Sequence, residues 1–330
     1  MCAVSKSDFT ILFSCIGRRV ALVNAFRESM RRLGLKGRIL GSDMAPHSSA
    51  FQVCDEAHVV HSSTHKDYVD QLVALCRDKG VDLLIPLIDP ELHILAGLNA
   101  RFREVGTTLC LSSQEVVRIC RDKVRTHDFL TKAGIDTPAL LSHDQVRDED
   151  LPLFMKPRDG SSAKDIHRIS TRRQLEFYRQ EVPGAIIQEY LPGQEFTLDI
   201  FCDFSGEPRC AVPRQRLEVR GGEVVKSMTV KDPQIIEVGM ATARALGGCM
   251  GPITLQCFRT SSGRISVIEI NPRLGGGVPL AIAAGADIPG WIIQSAMGRS
   301  PEIDPMAFAD QLVMLRYDEA FFVPKDRLPT

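Results

Sequence analysis

Three oxygen-bearing side chains lie near the end of the chain, on two predicted strands joined by a short turn. Gln256 lies on the first strand, and Glu269 and Asn271 lie at the end of the second. Ser262-Gly263 is typical of a tight hairpin turn, and a two-residue loop there places Gln256 opposite Glu269, with Cβ atoms about 4.5–5.5 Å apart. Asn271 follows two residues later on the same face.

Oxygen ligands of low total charge suit Mg²⁺, so Gln256, Glu269 and Asn271 predict a magnesium site, at which Mn²⁺ could replace Mg²⁺. Arg273, just beyond the strand, is placed to contact a transferring phosphoryl group. The alternative is a solvated polar face on an ordinary hairpin, because the register depends on one turn.

Two earlier segments contain features of a nucleotide site. Lys156 ends a predicted strand, and a loop of small residues that includes Ser161 and Ser162 follows it. Backbone N–H groups of such a loop can hold phosphates, with the lysine as counter-charge. Further on, Glu189-Tyr190-Leu191 leaves a strand and is suited to present backbone groups to adenine, while Glu195 could accept from ribose hydroxyls. The alternatives are a solvated lysine and a charged hinge.

An arginine-rich strand is the candidate for binding the substrate. Alternation over residues 213–220 places Arg214, Arg216, Glu218 and Arg220 on one face, and Gly221-Gly222 closes a hairpin. Arg214 and Arg216 are the favoured contacts to a substrate carboxylate or to ATP phosphates. The alternative is a solvent-exposed charged face.

Loops after two early strands add weaker candidates. Gly17-Arg18-Arg19 follows the first strand, and Asp89 and Glu91 follow the fourth, at the carboxyl edge where open α/β sheets bind ligands.

Two apparent reactive sites are better explained as structural. Cys15 has no histidine placed to activate it, so a buried thiol is favoured over a nucleophile. Cys54, His58, His61 and His65 are not expected to converge on one zinc ion, because they lie on different predicted elements.

The elements that must position these residues change character along the chain. The first 110 or so residues alternate strand and helix patterns, with predicted strands at 9–15, 38–42, 57–60 and 81–87 and helices at 20–33 and 68–79. This rhythm predicts a doubly wound parallel sheet. A capping box formed by Ser112 and Glu115 opens a further helix, and an α+β region of strands, hairpins and helices follows.

Composition narrows the class of protein. The 330 residues are 44% hydrophobic and 25% charged, and 40 basic residues nearly balance 41 acidic ones, which argues against nucleic acid as a partner. No signal peptide is predicted, and glycines, prolines and Asp287 make 274–298 a poor membrane span. Ten cysteines without a CxxC pair favour reduced thiols in the cytoplasm. Neither GxGxxG nor GxxxxGK[ST] occurs, so a Rossmann oxidoreductase and a Walker-type NTPase lack support.

The order of the motifs resembles the ATP-grasp superfamily, most closely its carbamoyl-phosphate-synthase-like branch. The resemblance runs from about Phe9 to Val323 and rests on Gln256, Glu269-Ile-Asn271-Pro-Arg273, the Lys156 loop and the hinge at 188–191. It implies an α/β and α+β chain with the ATP-grasp fold: a pre-ATP-grasp parallel-sheet domain at 1–112, a small subdomain at 113–187 and a large subdomain with the metal site at 188–330.

The resemblance also implies roles for individual residues. Lys123 and Lys156 would contact the nucleotide phosphates, and Ser161 and Ser162 would lie in the phosphate loop. Adenine would lie at the hinge of Glu189, Tyr190 and Leu191, with ribose at Glu195. Mg²⁺ would bind Gln256, Glu269 and Asn271, and Arg273 would stabilise the transferring phosphoryl group.

The implied activity is that of an ATP-dependent, ADP-forming ligase. A small-molecule carboxylate becomes an acyl phosphate, which an amine or another nucleophile attacks; a homodimer is the implied assembly. One residue departs from the family pattern, since Asp165 stands where relatives carry glycine. A carboxylate near phosphates repels them, which motivates the alternative of a catalytically weak ATP-binding or sensing protein.

Overall fold

Alternating strands and helices in the first third of the chain build a five-stranded parallel sheet. The computed structural model describes residues 8–160 and 165–329. The strands are β1 (Asp8–Ser14), β2 (Lys36–Asp43), β3 (Glu56–Val59), β4 (Leu83–Pro86) and β5 (Thr108–Leu109), in the order β3-β2-β1-β4-β5. The helices are α1 (Val20–Arg32), α2 (Tyr68–Lys79), α3 (Asp89–Leu95) and α4 (Asn99–Glu104). The predicted doubly wound sheet is confirmed.

Helix α1 shows why the sequence folds in this way. Leu22, Val23, Phe26 and Met30 recur at helical spacing and are buried against the sheet. The helix ends before Gly34, whose φ of 67° lies in the left-handed region that suits glycine at a helix end.

A small antiparallel sheet follows two short helices. The helices are α5 (Gln114–Arg121) and α6 (Lys123–Lys132), and α7 (Arg172–Glu181) lies between the last two strands. The strands are β6 (Leu140–Leu141), β7 (Leu153–Pro157), β8 (His167–Ile169) and β9 (Ala185–Glu189), in the order β6-β9-β7-β8.

The predicted capping box at α5 is wrong by one residue. Ser113, rather than Ser112, caps the helix by accepting a hydrogen bond from the Val116 N–H at 3.4 Å. The Ser112 hydroxyl instead accepts from the Met250 N–H at 3.1 Å, so it joins α5 to the last third of the chain.

A six-stranded antiparallel sheet dominates the remainder. Its strands are β10 (Gln194–Cys202), β11 (Pro208–Arg220), β12 (Glu223–Thr229), β13 (Gly251–Arg259), β14 (Ile265–Asn271) and β15 (Val313–Leu315), in the order β14-β13-β10-β11-β12-β15. The helices are α8 (Pro233–Leu246), α9 (Val278–Ala283) and α10 (Ile288–Ala296).

The apolar stretch at 274–298 packs inside the protein. It breaks into α9 and α10, and their side chains share one hydrophobic core with α1 and the first sheet. Among the described residues, no helix is both long enough and apolar enough to cross a bilayer.

The three sheets fall close to the three predicted divisions. They occupy residues 8–109, 140–189 and 194–315. Strand β9 runs past the predicted boundary at 187/188, because its last two residues still pair with β6 and β7. The division into domains therefore remains a proposal.

Candidate functional site

Strands β13 and β14 bring the predicted metal ligands onto one face. Gln256 lies directly opposite Glu269, as predicted, and Asn271 lies opposite Thr254. The predicted two-residue turn is wrong. The chain reverses through residues 261–263, where Thr260 N–H donates to the Arg264 carbonyl at 2.9 Å. A bulge at Ile268 adds one residue to β14 and restores the predicted pairing.

The bulge also decides which side chains face the cleft. Val267 and Ile270 are both buried in the core behind the sheet, so Glu269 and Asn271 are left on the opposite face. In a regular strand, Val267 and Glu269 would share a face. Ile268 has no ladder partner, and its carbonyl accepts a hydrogen bond from Lys156 Nζ at 3.2 Å. The bulge thus connects the candidate metal site to the small sheet.

The donor set on this hairpin fits a hard cation. Gln256 and Asn271 offer amide oxygens and Glu269 offers a carboxylate. Asn271 Nδ2 donates to Glu269 Oε1 at 3.1 Å, which holds these two side chains together on the cleft face. Oxygen ligands without sulfur or imidazole are the set that Mg²⁺ or Mn²⁺ would take.

A polar row continues from Gln256 across the neighbouring strands. Thr197 pairs with Gln256 on one side and with Arg214 on the other. Because neighbouring strands lie about 4.8 Å apart, Arg214 lies about 10 Å along the sheet from Gln256. Arg214 is only 1% exposed, and it donates to Asp199 through Nε at 2.6 Å and Nη2 at 3.1 Å.

One atom of Arg214 has no partner. Its Nη1 is buried and, among the described residues, makes no hydrogen bond. A buried unsatisfied donor costs about 1–3 kcal/mol, and Arg214 is one of the residues that line the cleft, so its guanidinium is a candidate contact for an anionic ligand.

Arg216 lies two residues beyond Arg214 on β11. Its side chain is 9% exposed and pairs with Glu195 at 3.1 Å. Burial raises the pKa of Glu195, although Arg216 opposes the shift. The prediction of a four-residue face is wrong beyond Arg216, because β11 is irregular before Val219 and Glu218 pairs instead with Lys226.

The predicted glycine turn of this hairpin is confirmed. Gly221 and Gly222 have φ of 55° and 79°, and Arg220 lies opposite Glu223 across them. Two successive positive φ angles are those of a hairpin turn that glycine adopts without strain.

Arg273 leaves β14 toward the first sheet. It donates to Asp89 through Nε at 2.7 Å and Nη2 at 2.6 Å. Burial acts to lower the pKa of Arg273, but the Asp89 carboxylate outweighs it, so the pKa is raised and the guanidinium stays charged. Asp89 begins α3 directly beyond β4, so this pair joins the carboxyl edge of the first sheet to the hairpin.

Lys156 crosses the cleft from the small sheet. The residue is 5% exposed, and burial lowers the pKa of its ammonium to about 8, although Glu269 opposes the shift. Lys123, at the start of α6, donates to the Gly160 carbonyl at 3.0 Å and adds to the lowering at Lys156. The two predicted nucleotide lysines are therefore close enough to interact.

The phosphate loop is described only in part. Ser161 and Ser162 lie outside the described residues. Asp165, the next described residue, has a φ of 54°, in the left-handed region that favours glycine. The backbone here has a glycine-type conformation, at the position where the resemblance implies glycine, and aspartate is one of the few side chains that tolerate it.

The predicted hinge follows β9. Glu189 pairs with Arg264 at 2.6 Å, so its carboxylate is directed to the loop that precedes β14 of the six-stranded sheet. The Tyr190 ring lies 4.6 Å from the Arg168 guanidinium, and Leu191 is buried. The side chains of the hinge are thus held by neighbours and by the core.

These groups meet in one cleft of about 710 Å³ between the sheets. That volume is typical of a small-molecule site. Its lining includes most residues singled out in the sequence: Arg18, Arg19, Asp89, Lys156, Glu189, Tyr190, Leu191, Glu195, Arg214, Arg216, Gln256, Glu269, Asn271 and Arg273. Lys123 lines an adjoining cavity of about 220 Å³ that Glu269 and Asn271 also border.

Some candidates lie elsewhere. Glu91 is fully buried, accepts from the Tyr68 hydroxyl at 2.6 Å and has its pKa raised by burial, so its assignment to the crevice is wrong. Burial likewise raises the pKa of the Cys15 thiol, in agreement with its interpretation as unreactive.

Cys54, His58, His61 and His65, which are not expected to form a zinc site, do not come together as one group. His61 and His65 stack with centroids 4.1 Å apart and share an exposed group with Asp67. Cys54 and His58 are not part of that group.

Sequence reasoning missed Asp199, Glu223 and the glycine run at 275–277. A Cβ on Gly277 would lie 2.3 Å from Arg214 Nη1, and one on Gly275 would lie 2.9 Å from Thr254 Oγ1. Three consecutive glycines after Arg273 were the available signal, because such a run allows other groups to approach the backbone closely.

Comparison with known proteins agrees with this geometry. The PylC-like N-terminal domain family matches residues 11–110, and the family described as ATP-grasp in the biosynthetic pathway with Ter operon matches residues 181–319. A probable alpha-L-glutamate ligase of Coxiella burnetii is 28% identical over 234 residues, which cover 64% of this chain and 75% of the relative.

Two further proteins are similar to this chain, one in sequence and one in fold. A carbamoyl-phosphate synthase of Methanobrevibacter smithii is 25% identical over 137 residues, covering 39% of this chain and 37% of the relative. The biotin carboxylase domain of a Hydrogenobacter thermophilus 2-oxoglutarate carboxylase, solved with MgADP, ADP and bicarbonate, aligns with a TM-score of 0.73 at 16% identity, over 92% of this chain and 73% of that one. The chain therefore has the ATP-grasp fold, and its residues 181–319 match an ATP-grasp family.

Proposed function

We propose that the cleft performs an ADP-forming ligation in which ATP phosphorylates a small carboxylate and an amine attacks the resulting acyl phosphate. The carboxylate oxygen takes the γ-phosphoryl group and ADP leaves; the amine then forms the amide bond and phosphate leaves. The observation that supports this most strongly is the grouping of Gln256, Glu269 and Asn271 on one sheet face, with Lys156 and Arg273 in the same cleft.

The nucleotide would lie between the small and six-stranded sheets. Tyr190 and Leu191 would contact adenine, Glu195 would accept from ribose, and Lys156 and Lys123 would contact phosphate oxygens. Lys156 is held toward the metal-ligand strand by the Ile268 carbonyl, and a protonated lysine there offers two further N–H donors.

Gln256, Glu269 and Asn271 would hold Mg²⁺. When bound, the ion neutralises charge on the phosphate oxygens during transfer. Glu269 places a carboxylate directly opposite the Gln256 amide, so two strands contribute to the site and the pairing of the hairpin fixes their separation.

Arg273 would stabilise the transferring phosphoryl group, and Arg214 and Arg216 would bind the substrate carboxylate. Arg273 is held by Asp89 at the strand end, and the unpartnered Nη1 of Arg214 offers a donor to an anionic oxygen. Catalysis of this kind is positioning and charge stabilisation, so it requires no nucleophilic side chain.

The carboxylate and the amine are small molecules in this proposal. The relative named alpha-L-glutamate ligase supports an amine as the nucleophile. We also propose a homodimer, since the similar biotin carboxylase domain is named as a dimer. Nine described cysteines are free thiols, which supports a reducing, cytoplasmic setting.

The proposal is tested by measuring turnover in the presence of hydroxylamine, which converts an acyl phosphate into a hydroxamate. Purified protein, Mg-ATP and hydroxylamine are incubated with a panel of carboxylates, and ADP and hydroxamate are measured. We expect equal amounts of both, dependent on the acid. Tight ATP binding without acid-dependent ADP release on any acid would favour the ATP-sensing alternative suggested by Asp165.

A further inference from the structure

The loop between β1 and α1 carries a guanidinium, that of Arg19, whose nearest acid, Glu223, pairs with two other arginines. Arg19 lines the cleft, and the described part of the chain gives its side chain neither a hydrogen bond nor an ion pair. Its arginine neighbours do have acids: Arg18 pairs with Glu223 at 2.8 Å, Arg316 pairs with Glu223 at 3.0 Å, and Arg273 pairs with Asp89 at 2.6 Å.

The local charges do not balance. Arg18, Arg19, Arg273 and Arg316 are served by the two carboxylates of Glu223 and Asp89, so this end of the cleft has an excess of positive charge. Burial and the nearby Arg273 lower the pKa of Arg19, and Glu223 opposes this shift only in part. An anionic ligand would remove it.

The glycine run lets two guanidinium groups of the cleft lie close to the backbone. A Cβ on Gly276 would lie 3.0 Å from Arg19 Nη1, and one on Gly277 would lie 2.3 Å from Arg214 Nη1. Gly276 is absent from the positive-φ glycines, and Gly277 has a φ of −95°, so the backbone conformation does not require glycine at either position. Glycine is favoured at both positions because a Cβ would meet the guanidinium group of Arg19 or Arg214.

We infer that the acid substrate carries a second anionic group, and that Arg19 binds it while Arg214 and Arg216 hold the reacting carboxylate. This rests on the proposed function, because it assigns the ends of one substrate to two parts of the same cleft. The second group is a carboxylate or a phosphoryl group, since either provides anionic oxygens to a guanidinium. Arg19 is then a specificity-determining residue.

The test measures binding, so it does not depend on turnover. Dicarboxylates from malonate to adipate, monocarboxylates of the same carbon number and 3-phosphonopropionate are titrated calorimetrically into protein saturated with Mg-ADP. We expect at least one dianion to bind about tenfold more tightly than its monoanionic counterpart. A tighter complex with 3-phosphonopropionate than with every dicarboxylate would identify the second group as phosphoryl.

Three variants make the test specific to Arg19. Arg19→Gln should reduce the preference to about twofold or less, while Arg101→Gln, at an exposed ion pair with Asp70 outside the cleft, should retain it. Gly276→Ala keeps every charge and should lower the preference by crowding Arg19 Nη1. Monoanions that bind as tightly as dianions, or a preference that survives Arg19→Gln, would overturn the inference.

The two proposals fail separately. Acid-dependent hydroxamate formation without a dianion preference would leave the ligase intact and reject the role of Arg19. A dianion preference that depends on Arg19, without ADP formation on any acid, would reject the ligase and retain the anion site.

Discussion

The six-stranded sheet and the small sheet face each other across the cleft, and they hold their site residues differently. Within the part of the chain that the structure describes, the six-stranded sheet is backed by a core of 17 buried apolar residues, whereas the core of the small sheet contains 6. On the larger sheet, Arg214 and Asp199 form a buried pair, and Asn271 donates to Glu269. On the small sheet, Glu189 pairs with Arg264 in a partly exposed position.

This difference in packing matches a difference in the roles that we propose for the two sheets. Metal ligands and charged groups that need fixed geometry lie on the heavily packed sheet, because packing restricts their rotamers. The hinge and phosphate loop lie on the lightly packed sheet, which costs less to move when a nucleotide enters. Lys156 is the exception, since it is buried and bonded to the opposite strand.

Removal of the Glu269 carboxylate from the six-stranded sheet should have the largest effect on activity. Glu269→Ala should lower Mg-dependent ATP turnover by at least about 10²-fold, because the metal loses its charged ligand. The fold should survive, because Glu269 lies on the cleft face. Steady-state ADP release measures the effect, and Glu237→Ala, on the exposed face of α8, is the matched control. Near-normal turnover in Glu269→Ala would remove the metal assignment.

Breaking an ion pair on each sheet tests the difference in packing directly. Asp199→Ala leaves the buried Arg214 without its acid and should lower the free energy of unfolding by about 3–5 kcal/mol. Glu189→Ala breaks a partly exposed pair and should cost about 1 kcal/mol or less. Urea unfolding of both variants gives the comparison, and equal losses would contradict it.

The buried lysine should make ATP affinity depend on pH. Phosphate binds the protonated form of Lys156, whose pKa is about 8 in the structure, so ATP affinity should be full below that pH and fall as pH rises through it. Lys156→Met should cost about 1.5–3 kcal/mol of ATP affinity at neutral pH and remove this inflection. Calorimetric titrations between about pH 6.5 and 9.5 measure both effects. An unchanged inflection in the variant would assign it to another group.

The phosphate loop should show the smallest effect. Asp165 occupies a glycine-type conformation, so Asp165→Gly should relieve backbone strain and remove a carboxylate near the phosphates. We expect ATP to bind tighter by about 1 kcal/mol. Weaker binding would show that the aspartate makes a favourable contact in the complex.

The first sheet and the pairing of Gln256 with Glu269 could be predicted from sequence, because hydrophobic period and a turn signal are local. The pairing was reached through a wrong turn: a longer loop at 261–263 and the bulge at Ile268 offset each other. No local sequence pattern marks the bulge in β14. The hydrogen bond from Lys156 to the Ile268 carbonyl could therefore not be predicted from the sequence.

The charge partners could not be predicted either. Asp199 lies 15 residues from Arg214, and Asp89 lies 184 residues from Arg273, so only the packed fold brings each pair together. The misplaced Glu91 has the same cause, since the start of α3 turns Asp89 into the cleft and Glu91 into the core.

Metal binding at the hairpin tests the central claim most directly. Mn²⁺ replaces Mg²⁺ as a paramagnetic probe, and its binding is followed by electron paramagnetic resonance with and without ADP, in the wild type and in Glu269→Gln. The account predicts nucleotide-dependent Mn²⁺ binding in the wild type that weakens by at least about tenfold in the variant. Equal Mn²⁺ affinity in the two proteins would show that Gln256, Glu269 and Asn271 do not form the metal site.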